Sequence, residues 1–241
     1  MPTANAKNNY TRTDNQKMSF KGISERGSAR KSFSITRTGD GAGGSPAARR
    51  RKLSTVGETA TAGPVRGYTK LSDACQAFNF DFHGKTVLDI GSSTGGFTKY
   101  ALDHGAMKVI AVEKGTNQMM SPLRDDTRIE LHEKTDILDF KPSNEINVVV
   151  ADVSFISLKP VLNHIKIKNA SYLVMLKPQF EAKSSELNNG IVKNARIRRD
   201  IIKAFEAWLK ANGYYIHNKC DNKLSGKHGN HEKFYYLSLA K

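Results

Sequence analysis

The chain has 241 residues, 38% of them hydrophobic, and 38 Lys+Arg against 23 Asp+Glu, a formal net charge of +15. That length carries one α/β domain with a tail, and so positive a chain suits a polyanionic partner, of which nucleic acid is the commonest. Only Cys75 and Cys220 occur, far apart and outside any Cys/His cluster, which argues against a disulfide scaffold and a metal site. The lack of a long apolar run argues against a membrane span or secretion signal.

Residues 1–63 are Ser, Thr, Asn, Gly and Arg with hardly any large apolar side chain. Such a segment buries too little surface to offset its chain entropy, so a basic tail is expected that is disordered or ordered only on a partner. Its Arg- and Ser-rich composition has the look of an organelle transit peptide, but its Gly, Pro and Asn oppose the amphipathic helix such a peptide needs. A cytoplasmic location is therefore expected, with one folded domain over 64–241.

Strand-like runs then alternate with helical ones, which predicts βαβ units and a mostly parallel sheet. KTVLDIG (85–91) is the first strand, followed by a helix with Phe97, Tyr100, Ala101 and His104 in step and Gly105 as its stop. KVIAVEKG (108–115), RIELHE (128–133), INVVVADV (146–153) and SYLVMLK (171–177) are the next four strands. In residues 195–213, Ile197, Ile201, Ile202, Phe205, Trp208 and Leu209 stripe one helix face. YYIHNKC (214–220) and KFYYLSLA (233–240) close the chain as an antiparallel pair.

Two stretches ask for chemistry. LDIGSSTGGF (88–97) joins a strand to a helix, where backbone N–H groups meet an anionic ligand group. Ser93 breaks the dinucleotide fingerprint and no Gly-Lys-Ser/Thr follows, so neither common phosphate motif is present. Asp89 with Gly91, Gly95 and Gly96 fits a loop holding an amino-acid end and a ribose, the glycines admitting the ligand close to the backbone. Ser92, Ser93, Thr94 and Phe97 complete that contact set. Glu113, at the tip of the second strand, is placed to accept ribose hydroxyls, and Asp136 to border an adenine. The other stretch is YLVMLKPQF (172–180), an apolar strand that ends on Lys177 with Pro178 directly behind. Lysine is seldom fully buried, so Lys177 either snorkels to water or faces a cleft.

The glycine loop, Glu113 and the strand pattern resemble class I S-adenosylmethionine-dependent methyltransferases, which implies a Rossmann-like α/β fold. That fold has a seven-stranded, mostly parallel sheet with an antiparallel last strand and helices on both faces. VVADVSFISL (149–158), LKPQFE (176–181) and GNHEKF (229–234) narrow the resemblance to the FtsJ-like superfamily. Within it they are similar to the TlyA-type, or haemolysin A, ribosomal RNA 2′-O-methyltransferases, from about Arg66 to the C-terminus. The resemblance implies S-adenosylmethionine as methyl donor, RNA as partner and no metal. It also implies a Lys-Asp-Lys-Glu tetrad, which falls on Lys70, Asp152, Lys177 and Glu232. Lys177 would stand beside the ribose oxygen, with Lys70 as a second ammonium that disfavours double protonation. Asp152 and Glu232 would orient the lysines, and Asp152 would also border the cofactor.

Asp152-Val153-Ser154-Phe155 is not the Asn/Asp-Pro-Pro-aromatic signature of amino-group methyltransferases, and neither cysteine sits in the Pro-Cys or Thr-Cys setting of cytosine C5 enzymes. Oxygen is the acceptor left. Two departures stand out: the family's usual S4-type RNA-binding domain is replaced by the tail with Arg49, Arg50 and Arg51, and Tyr68 stands where a second Gly is expected before Lys70. Lys193, Arg196, Arg198 and Arg199 are either further phosphate contacts or an ordinary solvated helix start. The competing readings are an RNA-binding assembly factor without turnover and a membrane-active haemolysin, the latter without a supporting segment.

Overall fold

The structure, a computed structural model, describes residues 66–142, 145–224 and 229–240. The expected tail, its arginines Arg49, Arg50 and Arg51, and the boundary at residue 64 lie outside the described residues.

Strands β1 (Thr86–Ile90), β2 (Lys108–Val112), β3 (Ile129–His132), β4 (Val148–Ala151), β5 (Ser171–Leu176), β6 (Tyr214–Asp221) and β7 (Lys233–Leu239) form one sheet in the order β3-β2-β1-β4-β5-β7-β6. The first five run parallel to one another, while β7 runs antiparallel to both β5 and β6. This is the expected Rossmann-like sheet, with the last strand inserted between β5 and β6. Helices are α1 (Arg66–Phe78), α2 (Gly96–Asp103), α3 (Leu158–His164), the four-residue α4 (Pro178–Glu181) and α5 (Ala195–Ala211).

Every residue of β1 and β4 is buried, as expected of strands covered on both faces. Side chains alternate between two cores. Leu88, Val149, Tyr172, Phe205 and Leu209 share one, under α3 and α5; Val87, Val109, Val150, Leu71 and Tyr100 share the other, under α1 and α2. In α5, Ile201, Phe205 and Leu209 are buried, with Ile202 and Trp208 packed at the rim. Asn194 caps that helix by accepting from the Arg196 and Ile197 amides, and Gly213 follows its end at φ 81°. Helices α1, α3 and the short α4 are additional to the elements expected from sequence. The signal for α1 is the spacing of Leu71, Ala74, Cys75 and Phe78, all buried.

Two topological facts place the site. The strand order reverses between β1 and β4, so their carboxyl ends open a crevice. Because β7 is reversed, pairing Lys233 with Leu176, the residues that precede it arrive at the carboxyl edge of the parallel strands.

Candidate active site

Four side chains converge on that edge. Lys70 Nζ lies 2.8 Å from Glu232 Oε2 and 3.6 Å from Asp152 Oδ2, and Lys177 Nζ lies 2.6 Å from Asp152 Oδ1. Asp152 thus gives one oxygen to each ammonium group, and Glu232 closes the chain of charges. Lys70, Lys177 and Glu232 are only 6%, 9% and 4% exposed. Charges so deep persist only when paired and hydrogen-bonded, and the set of two cations and two anions balances. The expectation placed Lys70 as a second ammonium near Lys177 with Asp152 and Glu232 orienting both; here the Asp152 carboxylate lies between the two lysines, where it offsets the cost of a like-charge pair at this depth.

Each member is held by a different element. Lys70 sits on the buried stripe of α1, one turn into the helix. That helix docks closely on α2, since a Cβ on Gly96 would come 2.8 Å from the Tyr68 amide nitrogen and 2.9 Å from Gly67 Cα. Asp152 follows β4, its amide bonded to the Ile90 carbonyl of β1. Lys177 follows β5, and Pro178 is the first residue of α4, a position where its missing N–H costs nothing. Glu232 precedes β7 and also accepts from Asn222 Nδ2 at 3.0 Å.

A further carboxylate ties the two signature segments together. Glu181, at the end of α4, accepts from Ser157 Oγ at 2.8 Å and from the Leu158 amide at 2.7 Å. It therefore caps α3 from outside that helix and fixes the 153–157 loop against the 177–181 turn. Within that loop Phe155 takes a left-handed φ of 64° and is 93% exposed, its ring 5.4 Å from that of Phe180. Ser154, Phe155, Glu181 and Asn222 are functional candidates the sequence reading missed. Ser154 and Phe155 lie inside VVADVSFISL and Glu181 inside LKPQFE, which was their signal; Asn222 carries none.

The tetrad lines a cavity of about 650 Å³ that includes Ser92, Phe155 and Phe180. A second cavity of about 530 Å³ adjoins it, walled by Glu113, Gln118, Asp136, Ile137, Val153 and Ile156. Gly91, Ser93, Asp152, Ser154 and Phe155 border both. The second cavity suits a nucleoside: acids stand at the ends of successive strands, with apolar walls between them. Ser92 lines the first cavity and its buried Oγ has no hydrogen-bond partner among the described residues, so the loop has polar capacity to spare for a ligand. These residues fit S-adenosylmethionine.

The sequence reading of the glycine loop needs correction in detail. Asp89 and Gly95 line neither cavity. Gly95 is the N-cap of α2 at φ 90°, a glycine for a reason internal to the protein, whereas Gly96 both answers to the close approach of α1 and lines the first cavity. Asp89 is 1% exposed and accepts from Thr98 Oγ1 at 2.6 Å. Burial pushes its carboxyl up to about 7, Thr98 opposing and the Asp152 charge adding to the rise. Phe97 packs its ring 6.1 Å from that of Phe234 and, with Ser93 and Thr94, lines the first cavity. Glu113 accepts from the Ser93 amide at 2.9 Å and the Gly115 amide at 2.6 Å, clasping the loop to β2. Asp136 is held below the usual carboxylate range by the Lys114 ammonium at 2.8 Å and the Leu138 amide. Lys193, Arg196, Arg198 and Arg199 lie outside the cavity wall, although the loop ahead of them contributes Asn189 and Gly190 to it.

Among the described residues, no helix is long and apolar enough to cross a membrane and no group of three or more His, Cys, Asp or Glu could hold a metal ion. A family model described as FtsJ-like methyltransferase matches residues 64–239. The chain is 35% identical over 177 residues to the 23S rRNA (cytidine-2′-O)-methyltransferase TlyA of Campylobacter jejuni, covering 71% of this chain and 69% of that one. It is 33% identical over 192 residues to the 16S/23S rRNA (cytidine-2′-O)-methyltransferase TlyA of Mycobacterium tuberculosis, covering 77% and 72%. A solved hemolysin-type structure from Streptococcus thermophilus has a TM-score of 0.70 at 33% identity, covering 73% of this chain and 66% of that one. The sheet order, the glycine loop and the paired cavities define the class: a methyltransferase with the S-adenosylmethionine-binding fold. The chain belongs to the FtsJ-like methyltransferase family, with TlyA proteins as its relatives.

Proposed function

We propose that this protein methylates ribose 2′-hydroxyls of RNA, ribosomal RNA being the substrate class. The observation that carries the reading is the Asp152 carboxylate shared by Lys70 and Lys177 where the two cavities meet. S-adenosylmethionine, when bound, supplies a methyl group already activated on a sulfonium. What remains for the protein is to align an acceptor oxygen and manage one proton.

Glu113 and Asp136 would hold the sugar and base of the cofactor, and the loop from Gly91 to Thr94 its amino-acid end. Lys177 stands on the acceptor side, oriented by Asp152, which is oriented in turn by Lys70 and Glu232. The exposed ring of Phe155 beside Phe180 offers a stacking surface for a base. Lys193, Arg196, Arg198 and Arg199 would add phosphate affinity along the flank, as would the tail arginines Arg49, Arg50 and Arg51.

The test uses methyl-labelled S-adenosylmethionine with free ribosomal RNA and with both ribosomal subunits, digested afterwards to nucleosides. Label is expected on ribose. Lys177→Ala should cut the rate by about 10²–10⁴-fold, the range for removing a proton-handling group, while S-adenosylmethionine affinity is kept. No label in any RNA pool would leave the assembly-factor reading in its place, although that reading gives four matched, buried charges nothing to do.

A further inference from the structure

Lys177 is engaged by the loop that follows β4. An ammonium has three N–H groups; this one donates to Ser154 Oγ at 2.7 Å and to the Asp152 carbonyl oxygen at 3.5 Å, and Asp152 Oδ1 stands 2.6 Å away as its ion-pair partner. All three come from residues 152–154, on the wall of the cavity that Lys177 itself lines. Ser154 is differently placed. It is exposed and lines both cavities. Having accepted one hydrogen from Lys177, its oxygen keeps an O–H and a lone pair for a further partner.

We infer that the Ser154 hydroxyl meets the ribose 2′-oxygen and passes its proton to Lys177. This rests on the ribose reading above. Lys177 enters the step as the neutral amine, one proton having gone to solvent beforehand, and so accepts from Ser154 instead of donating to it. The ribose O–H bond breaks and its hydrogen goes to Ser154 Oγ, while the Ser154 hydrogen goes to Lys177 Nζ. The ribose oxygen, left with that bonding pair, bonds the incoming methyl carbon, whose former pair stays on sulfur. Ser154 finishes as a hydroxyl and Lys177 as the ammonium beside Asp152. Asp152 favours that end state, since it gains an ion pair as the proton arrives.

Single-turnover methyl transfer with Ser154→Ala and Ser154→Thr tests the role. Ser154→Ala should slow the step on the order of 10²-fold, a magnitude proper to a lost proton-transfer group, with unchanged affinity for RNA and cofactor. Ser154→Thr, which keeps the hydroxyl, should recover most of that rate. Plotted against the deuterium fraction of the solvent, the parental rate should fall on a bowed line, because two hydrogens move together, and the Ser154→Ala rate on a straight one. A readout independent of turnover uses Ser154→Cys in a Cys220→Ser background, Cys75 being buried. Ribosomal RNA alone should shield the introduced thiol from iodoacetamide. A parental-like rate for Ser154→Ala, equal losses for Ala and Thr, a straight parental line or an unshielded thiol would each overturn the relay. If the parental protein methylates no ribose, the ribose reading falls and the relay with it; if it does and Ser154→Ala keeps pace, only the relay falls.

Discussion

Lys70 donates to Glu232 at 2.8 Å across 162 positions of chain, both side chains almost wholly inside the protein. Two separate structural causes bring them together. The buried stripe of α1 turns Lys70 inward beside Leu71 and Ala74, and the reversed direction of β7 delivers Glu232 to the carboxyl edge. Lys70→Met should therefore cost about 3–5 kcal/mol, because Glu232 keeps a buried charge with only a neutral amide to answer it. Lys70→Met with Glu232→Leu should cost clearly less than the two single changes summed, measured from urea unfolding midpoints. Strict additivity would show that the two groups are not coupled.

Glu181 is expected to behave as a joint between the two signature segments. Glu181→Ala leaves the Leu158 amide and the Ser157 hydroxyl without their acceptor, a loss of about 1–3 kcal/mol for buried polar groups. The loop that carries Ser154 and Phe155 should loosen as well. Hydrogen exchange at the Leu158 amide should quicken, and turnover should fall more than S-adenosylmethionine affinity. Exchange as slow as in the parental protein would show that α3 is capped adequately without this carboxylate.

Asp89 should give the apoprotein a distinctive pH response. Its folded value of about 7 lies above the ordinary 3.8, because burial disfavours the charged form. The folded state therefore holds this proton more tightly than the unfolded chain does. The stability it contributes is complete below 3.8, declines as pH rises and is gone by about 7. Asp89→Asn cannot titrate, so the stability of the parental protein relative to this variant should fall across that interval. Parallel stability curves for the two proteins would mean that Asp89 is ionised throughout.

The basic start of α5 has a salt signature. If Arg196, Arg198 and Arg199 contact phosphates, their joint replacement by Ala should flatten the plot of log affinity against log salt by about 2–3 units of slope, at 0.7–0.9 per lost contact. Ribosomal RNA binding by fluorescence anisotropy over a salt series measures it. An unchanged slope would return these residues to a plain solvated helix start.

Much of this was legible in one dimension. Apolar runs at 86–90, 108–112 and 171–176 betrayed the buried strands because both sheet faces are covered, and the polar residues that end them marked the functional edge. Lys177 was conspicuous for the same reason: an ammonium directly after six strand residues has few solvents other than a cleft. Lys70 was readable only through its motif, and its helix was overlooked although Leu71, Ala74, Cys75 and Phe78 keep a helical period. Among the loop glycines Gly95 stands apart from both cavities, a difference the sequence hides, since a glycine that admits a ligand and one that a left-handed helix cap requires look identical in a string. Glu181 was marked by its motif but not by its capping role, and Asn222 gave no local sign, because a hydrogen-bond partner supplied from another segment follows no spacing rule.

By itself the sequence determined which segments pair as strands, where each one stops and which polar residue stands at each stop. Those properties depend on neighbours a few positions away, through burial period and turn chemistry. Only the tertiary structure decided that β7 enters between β5 and β6, that α1 turns Lys70 toward Glu232, and that Asp152 divides its oxygens between two lysines. Sheet order and the pairing of buried charges are settled by contacts between distant parts of the chain, where backbone hydrogen bonds and the cost of an unpaired charge act through space.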